Sequence, residues 1–354
     1  MSNNPLQRLR KNKNADILKA EDALAPFRPK QSLMTEDADV RICTVIKDEE
    51  SYLEEWLDYY RLLGFSHVYL YDNSDDFVLR RYPQWYEQTR LNATDGIGSY
   101  PVPDDIIPSN TKEMRISSQF VTVLHRPGFY QHMQEALFNE CAEHLRQEYS
   151  GTTDKLWIAF YDADEFLVFE KSYKYSNIQE FLKDYGVFGG SLQINWQVFG
   201  TSGEETFEDK PVTRRFPLRK SKILELGKAM VKLDDLEEMM VHMPYQMRNH
   251  ARIHDTNCQD GEKKNFWCFH NDNQTIASLH HFRTKSVQEF KHRRCQSTRI
   301  DTGRVPLDKN GCMEQLFVGD TFDDRAWQFL KSKLPTKYAR YGEANEKAML
   351  ERIP

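Results

Sequence analysis

The chain has 354 residues, with 48 Lys and Arg against 54 Asp and Glu, a net charge of -6 and 39% hydrophobic residues. That length allows one large domain or two ordinary ones around a substantial core, and the mild acidity supplies no overall basic field to draw the chain onto nucleic acid or an anionic membrane. No window approaches the roughly 18 apolar residues of a membrane span, and the polar start shows no apolar signal-peptide core, so no integral membrane span and a cytoplasmic location are expected. Residues 1–38 read as a polar flexible arm, Lys/Arg-rich at its start and passing through Pro26 and Pro29. Organised structure begins with the β-rich run Val40–Ile46, followed by the polar string Lys47-Asp48-Glu49-Glu50. Tyr52, Leu53, Trp56, Leu57, Tyr60 and Leu63 then recur at helical spacing up to Gly64, and His67–Tyr71 reads as a second strand. Strand, helix and strand in that order predict a βαβ unit with parallel strands and a right-handed crossover.

Asp48 and Glu49 follow the first strand, and Asp72, Asn73, Asp75 and Asp76 follow the second. The carboxyl ends of parallel strands form the ligand crevice of open α/β sheets, although Asp and Asn also favour loops and caps at such places. The Pro, Gly and Asn-rich stretch Asn92–Asn110 reads as a long surface loop. An apolar run at Gln119–Leu124, a helix from about Phe129 to Arg146 and a strand Leu156–Tyr161 follow, and this alternation defines the class as α/β.

The strand at 156–161 runs directly into Asp162-Ala163-Asp164-Glu165. Crowded, poorly solvated carboxylates raise each other's pKa unless something positive neutralises them. A divalent cation is a natural partner: two Asp separated by one residue could share it with a diphosphate, and hard oxygen ligands suit Mg²⁺ or Mn²⁺. A solvated acidic turn is the plainer alternative.

Six cysteines (Cys43, Cys141, Cys258, Cys268, Cys295, Cys312) form no C-x-x-C pair. This argues against a zinc ribbon or a dense disulfide framework, and most are expected to be buried free thiols. The triplets Asn92-Ala93-Thr94 and Asn273-Gln274-Thr275 fit an N-x-T pattern that is frequent by chance.

Four blocks in order carry a family resemblance: Val45–Glu50 with Glu54–Leu57, Gly64 and His67–Ser74; Trp157–Leu167; Ile194–Gly203; and His281–Ser286 with Glu289-Phe290. Together they resemble a glycosyltransferase of the family 2-like and family 92-like (DUF23-related) group. The resemblance implies a GT-A fold, with a Rossmann-like nucleotide-binding half and mixed sheet, over residues 39–300, and a helical C-terminal extension over 301–354. It further implies metal-dependent transfer of a sugar from a nucleotide-sugar, in the group's pattern a UDP-sugar, to a glycan or other hydroxyl acceptor with inversion.

Carried over by position, Asp162 should face the ribose or the metal, and Asp164 and His281 should ligate Mn²⁺ or Mg²⁺. Lys47, Glu49 and Asp72 would lie near the nucleotide. Asp48 stands where the group usually has Asn, which puts that amide's contact in doubt. Strand alternation allows only one of His280 and His281 to reach the metal; His242 is the second choice. Lys285, Arg293 and Arg294 could neutralise the departing diphosphate. Trp196 offers a flat face for an acceptor sugar, with core packing as the alternative, and Glu204 or Glu205 is the candidate base.

Two rival readings use the same residues. Asp162-x-Asp164 after a strand, together with Phe317–Asp324, resembles the motifs of a haloacid dehalogenase-type phosphatase with Asp162 as nucleophile. That family wants Thr or Val where this chain has Phe166, and the reading leaves the Asn195-Trp196 and His281-Phe282 blocks unexplained. A non-catalytic carbohydrate-binding module would keep the fold without needing both aspartates.

Overall fold

The protein is described by a computed structural model covering residues 38–75, 79, 115–117, 120–129, 131–149, 153–170, 175–185, 189–224, 226–255, 263–265, 268–269, 276–297 and 309–351. The polar arm, the Asn92–Asn110 stretch and both N-x-T triplets lie outside these residues.

In chain order the strands of the main sheet are β1 (Asp39–Ile46), β2 (His67–Asp72), β3 (Arg115–Ser117), β4 (Val121–His125), β5 (Leu156–Ala159), β6 (Glu165–Phe169) and β7 (Ser191–Val198). After the short β8 (Leu218–Arg219) come β9 (Gly227–Lys232), the hairpin β10 (Leu236–Met239) and β11 (Pro244–Met247), then β12 (Ile253–Asp255). The pair β13 (Lys263–Asn265) and β14 (Cys268–Phe269) precedes β15 (Ala277–His281), and β16 (Thr321–Phe322) pairs back to β8. The ten-stranded sheet runs β3-β4-β2-β1-β5-β9-β7-β15-β6, with β12 also on β7. Strands β4, β2, β1 and β5 are mutually parallel, which makes the Rossmann-like half. Strand β9 reverses the direction, pairing antiparallel to both β5 and β7. This mixed α/β sheet is consistent with a GT-A-like fold.

Period-two alternation assigns the two faces of the sheet. Val40, Ile42 and Ile46 of β1, Val68 and Leu70 of β2, and Trp157 and Ala159 of β5 join one core with α1 (Glu50–Leu62). Cys43, Val45, Tyr69, Tyr71 and Ile158 face the other way, against α2 (Met133–Glu148). The predicted stripe of α1 is the buried one, and its large side chains stabilise the layer by roughly 1.5–3 kcal/mol each when fully buried. Its polar tips also hold β6: Trp56 and Tyr60 donate to the Glu165 carbonyl at 2.8 and 2.9 Å, and Tyr59 donates to that of Leu167 at 2.7 Å. Those donors cover an edge of the sheet that would otherwise be left unpaired. Gly64 ends the helix at φ +94, a left-handed conformation that glycine adopts without strain.

Two cysteine pairs correct the expectation of free thiols. Cys43 on β1 bonds Cys141 on α2, and Cys295 bonds Cys312, with Cα separations of 6.3 and 5.7 Å. Sequence spacing tests only local pairs; here strand alternation and the helix stripe point Cys43 and Cys141 at each other from opposite layers.

The C-terminal segment contains short helices at Lys309–Met313, Arg325–Lys333, Pro335–Tyr338 and Glu346–Leu350. It packs on α1, where Trp327 is fully buried and Lys337 and Tyr338 meet Asp58 at 2.6 and 2.7 Å.

Candidate active site

The acidic turn leaves β5 and enters β6, which lies beyond β9, β7 and β15 in the sheet. Strand β6 pairs antiparallel with β15, setting His281 opposite Glu165, and the Phe282 amide donates to the Asp164 carbonyl at 2.8 Å. That register brings His281 Nε2 to 3.4 Å from Asp164 Oδ1. Its neighbour His280 points to the opposite face, 3.7 Å from Asp323, as strand alternation requires.

Asp164 is surrounded by the His281 imidazole, Lys285 Nζ at 3.5 Å and Arg293 Nη1 at 3.5 Å. Burial opposes ionisation of this carboxyl, but Lys285, His281 and Arg293 outweigh it and hold the group well below the usual carboxylate range. Asp162 is treated differently. Its Oδ1 accepts from Lys228 Nζ at 2.9 Å and from Gln134 Nε2 at 3.1 Å. Glu165 is the third carboxylate; burial, then the charge of Asp162, pushes its carboxyl well up, and it accepts from the Asp162 amide at 3.1 Å. The crowding anticipated from the sequence is therefore relieved by protein cations at Asp162 and Asp164, while burial and the charge of Asp162 disfavour ionisation of Glu165.

These groups open on a cleft of about 330 Å³ at the carboxyl end of β1. Its lining includes Lys47, Asp48, Glu49, Asp162, Asp164, Trp196, His242, His281, Arg283, Arg293 and Arg294. Glu49 is ion-paired with Arg293 and lies 3.9 Å from Lys285; burial raises its carboxyl despite Arg293. Burial, and then Arg293, depresses the Lys285 ammonium to about 8. Lys285 also lies 4.5 Å from the centroid of the Tyr52 ring, and Tyr52 donates to Glu289. The Trp196 ring is 4.4 Å from His281 and 5.3 Å from His242, whose imidazole burial pushes down to about 4.

The structure thus gathers Lys47, Glu49, Asp162, Asp164, Trp196, His281 and Lys285 in or against one cleft. Asp72, Glu204 and Glu205 are not among its lining residues. Asp72 closes a local turn by accepting from the Ser74 amide at 2.9 Å, as a cap would. The Glu204 and Glu205 carbonyls accept from the Val287 and Gln288 amides, and the preceding Thr201 and Ser202 amides donate to the Phe317 and Val318 carbonyls. Lys228 and Gln134 were not anticipated. A lysine in Gly227–Lys232 carries no local mark that distinguishes it from a solvent-facing strand lysine.

Asp164 and His281 fit two adjacent positions around a small divalent cation, where ligands with bonds of about 2.1 Å sit roughly 3 Å apart. Among the described residues, no set of three or more His, Cys, Asp and Glu side chains is gathered for a metal. Mg²⁺ and Mn²⁺ sites commonly take one or two carboxylates and complete the shell with phosphate oxygens and water, so this donor set suits them. The phosphatase geometry is missing. Asp323 lies on the opposite face, tied to Arg219 at 2.9 Å and Arg325 at 2.6 Å, so the two acidic motifs do not meet.

Fold and cleft together define a GT-A-like α/β protein with its polar site at the strand ends. Residues 105–304, more than half of the chain, match the family described as Glycosyltransferase family 92. The chain belongs to that family. A glycosyltransferase family 92 protein of Oryza sativa subsp. japonica is 23% identical over 252 residues, which cover 71% of this chain and 34% of that protein. Another, from Ricinus communis, is 23% identical over 255 residues, covering 71% and 36% respectively. The chain spans about a third of the length of these curated relatives.

Proposed function

We propose that the chain is a metal-dependent glycosyltransferase, hexosyl or pentosyl, that moves a sugar from a UDP-sugar to a hydroxyl of a glycan or similar acceptor with inversion. The observation that carries this reading is the Asp164–His281 pair opening on a cleft that also holds Arg293 and Glu49.

In this reading Asp164 and His281 hold Mn²⁺ or Mg²⁺, which when bound offsets the charge of the leaving diphosphate. The chain's own residues supply the rest. Arg293 and Lys285 present fixed positive charge to phosphate oxygens, and Glu49 orients Arg293. Asp162 and Lys47 face the nucleoside side of the cleft. Trp196 and His242 form its acceptor side, where an indole face suits a sugar ring and an imidazole suits a hydroxyl. The base that takes the proton of the acceptor hydroxyl is, in this reading, Glu204 or Glu205.

Location is part of the proposal. Two cysteine pairs fit a compartment that oxidises thiols, and they favour a secretory lumen over the cytoplasm expected from the sequence. No helix among the described residues is long and apolar enough to cross a membrane.

The test is a screen of nucleotide-sugars for thermal stabilisation with and without Mn²⁺, followed by assay of UDP release. Metal-dependent UDP release without phosphate release supports the transferase. Phosphate release from a phosphomonoester, or no nucleotide binding at all, contradicts it.

A further inference from the structure

The basic wall of the cleft is one short stretch of chain. His292, Arg293, Arg294 and Ser297 all line the cleft, and all but the last belong to the π-helical turn Lys291–Gln296. Such turns are rare and recur at functional sites; here the Ser297 amide closes on the His292 carbonyl at 2.9 Å. The front of the turn is fixed by the preceding helical turn Val287–Phe290, where Ser286 and Glu289 cap each other, and Glu289 pairs with Arg215 at 2.9 Å and accepts from Tyr52. Its rear is fixed covalently, through the bond from Cys295 to Cys312 on the short helix Lys309–Met313.

The two cysteines share a small core with Phe290, against which Met313 and Leu316 pack, apart from the two large cores of the sheet. So few apolar groups contribute little by burial, and among the described residues the disulfide is the main hold on the rear of the turn. The far end of this bridge is itself anchored. Just beyond Cys312, the Phe317 and Val318 carbonyls accept from the buried Thr201 and Ser202 amides at 2.9 and 3.0 Å. The bond thus ties the turn to the body of the fold. Arg293 stands two residues before Cys295 and reaches from this turn to Glu49 and Asp164. Cys43 and Cys141 differ: they sit inside a large core, and neither lines the cleft.

We propose that Cys295 and Cys312 are positioning residues, whose disulfide holds the π turn so that Arg293 meets the phosphates of a bound nucleotide. This rests on the reading of the cleft as a nucleotide-sugar site. The two disulfides therefore have different duties. Loss of either lowers the stability of the fold, but only loss of Cys295–Cys312 reaches the ligand, and it does so through Arg293. A bond that merely stabilised the fold would leave the affinity of the folded protein unchanged, or would change it equally with and without that guanidinium.

The experiment uses the full chain and calorimetry with UDP in the presence of Mn²⁺, with thermal melting to check that each variant folds. Cys295→Ala with Cys312→Ala should weaken UDP binding by about tenfold, the usual worth of a hydrogen bond to a charged group. Cys43→Ala with Cys141→Ala should lower the melting temperature and leave UDP affinity unchanged. In a Glu49→Gln, Arg293→Met background, where the guanidinium is absent, removing the Cys295–Cys312 bond should change UDP affinity by less than about twofold, the range expected of uncoupled sites. Should the Cys295→Ala, Cys312→Ala variant not fold, tris(2-carboxyethyl)phosphine added to the folded Cys43→Ala, Cys141→Ala protein opens the bond instead, with alkylation at Cys295 and Cys312 confirming it, and should produce the same loss. Unchanged UDP affinity once the bond is gone, or an equal loss with and without Arg293, overturns the proposal. Wild-type protein that binds no UDP overturns the nucleotide-sugar reading itself, a separate result.

Discussion

His281 faces Asp164 across 3.4 Å from Nε2 to Oδ1, although the two are far apart in the chain. The antiparallel register of β15 on β6 creates that contact and turns the adjacent His280 to the other face of the sheet. The two histidines should therefore respond differently to substitution. His281→Ala should weaken Mn²⁺-dependent UDP binding with little change in melting temperature. His280→Ala should leave binding intact and cost about 1–3 kcal/mol of stability, because it uncouples a buried group from Asp323 and Arg325. Calorimetry and thermal melting on the pair check this contrast.

Lys285 gives the cleft a pH dependence. Its ammonium is depressed to about 8, chiefly by burial. A depressed amine keeps its charge below that value and loses it as pH rises through it. UDP affinity should hold near pH 7 and weaken progressively toward pH 9.5. In Lys285→Arg, whose guanidinium stays charged throughout, calorimetric titrations across this range should show a flatter profile.

The Cys43–Cys141 bond links β1 to α2 across a sequence separation of 98 residues. Replacing both cysteines with Ala should lower stability by about 2–5 kcal/mol. In denaturant melts reductant should lower wild-type stability by at least this shift, since it also opens Cys295–Cys312, and the double variant should lose less on reduction than wild type.

Arg293 ion-pairs with Glu49 and lies 3.5 Å from Asp164. Arg293→Met should leave Glu49 buried beside fewer cations, costing about 3–5 kcal/mol of stability, and should weaken UDP binding. In Glu49→Gln with Arg293→Met, the stability loss should shrink while the nucleotide loss persists; melts and calorimetry on the three variants separate the two effects.

Much of the Rossmann-like half was legible because its signals are local. The α1 stripe, the βαβ order and the acidic turn directly after an apolar strand can each be read within a few residues. Strand alternation separated His280 from His281, and the choice of His281 as the ligand came from the family resemblance. Features created by distant contacts were not legible. Lys228 reaches Asp162 because β9 inserts antiparallel beside β5, and nothing in Gly227–Lys232 announces that pairing. Cys43 meets Cys141 across two layers. The backbone bonds that tie the Glu204 and Glu205 loop to Phe317, Val318, Val287 and Gln288 are likewise made by distant residues.

The most direct test of the account is the affinity of UDP for Asp164→Asn with and without Mn²⁺, measured by calorimetry against wild type. Asparagine keeps the shape of the side chain but removes the anionic oxygen that faces His281. The account predicts that Mn²⁺ tightens UDP binding by wild type and has little effect on the variant, with the melting temperature largely retained. An equal Mn²⁺-dependent gain in both proteins would contradict it.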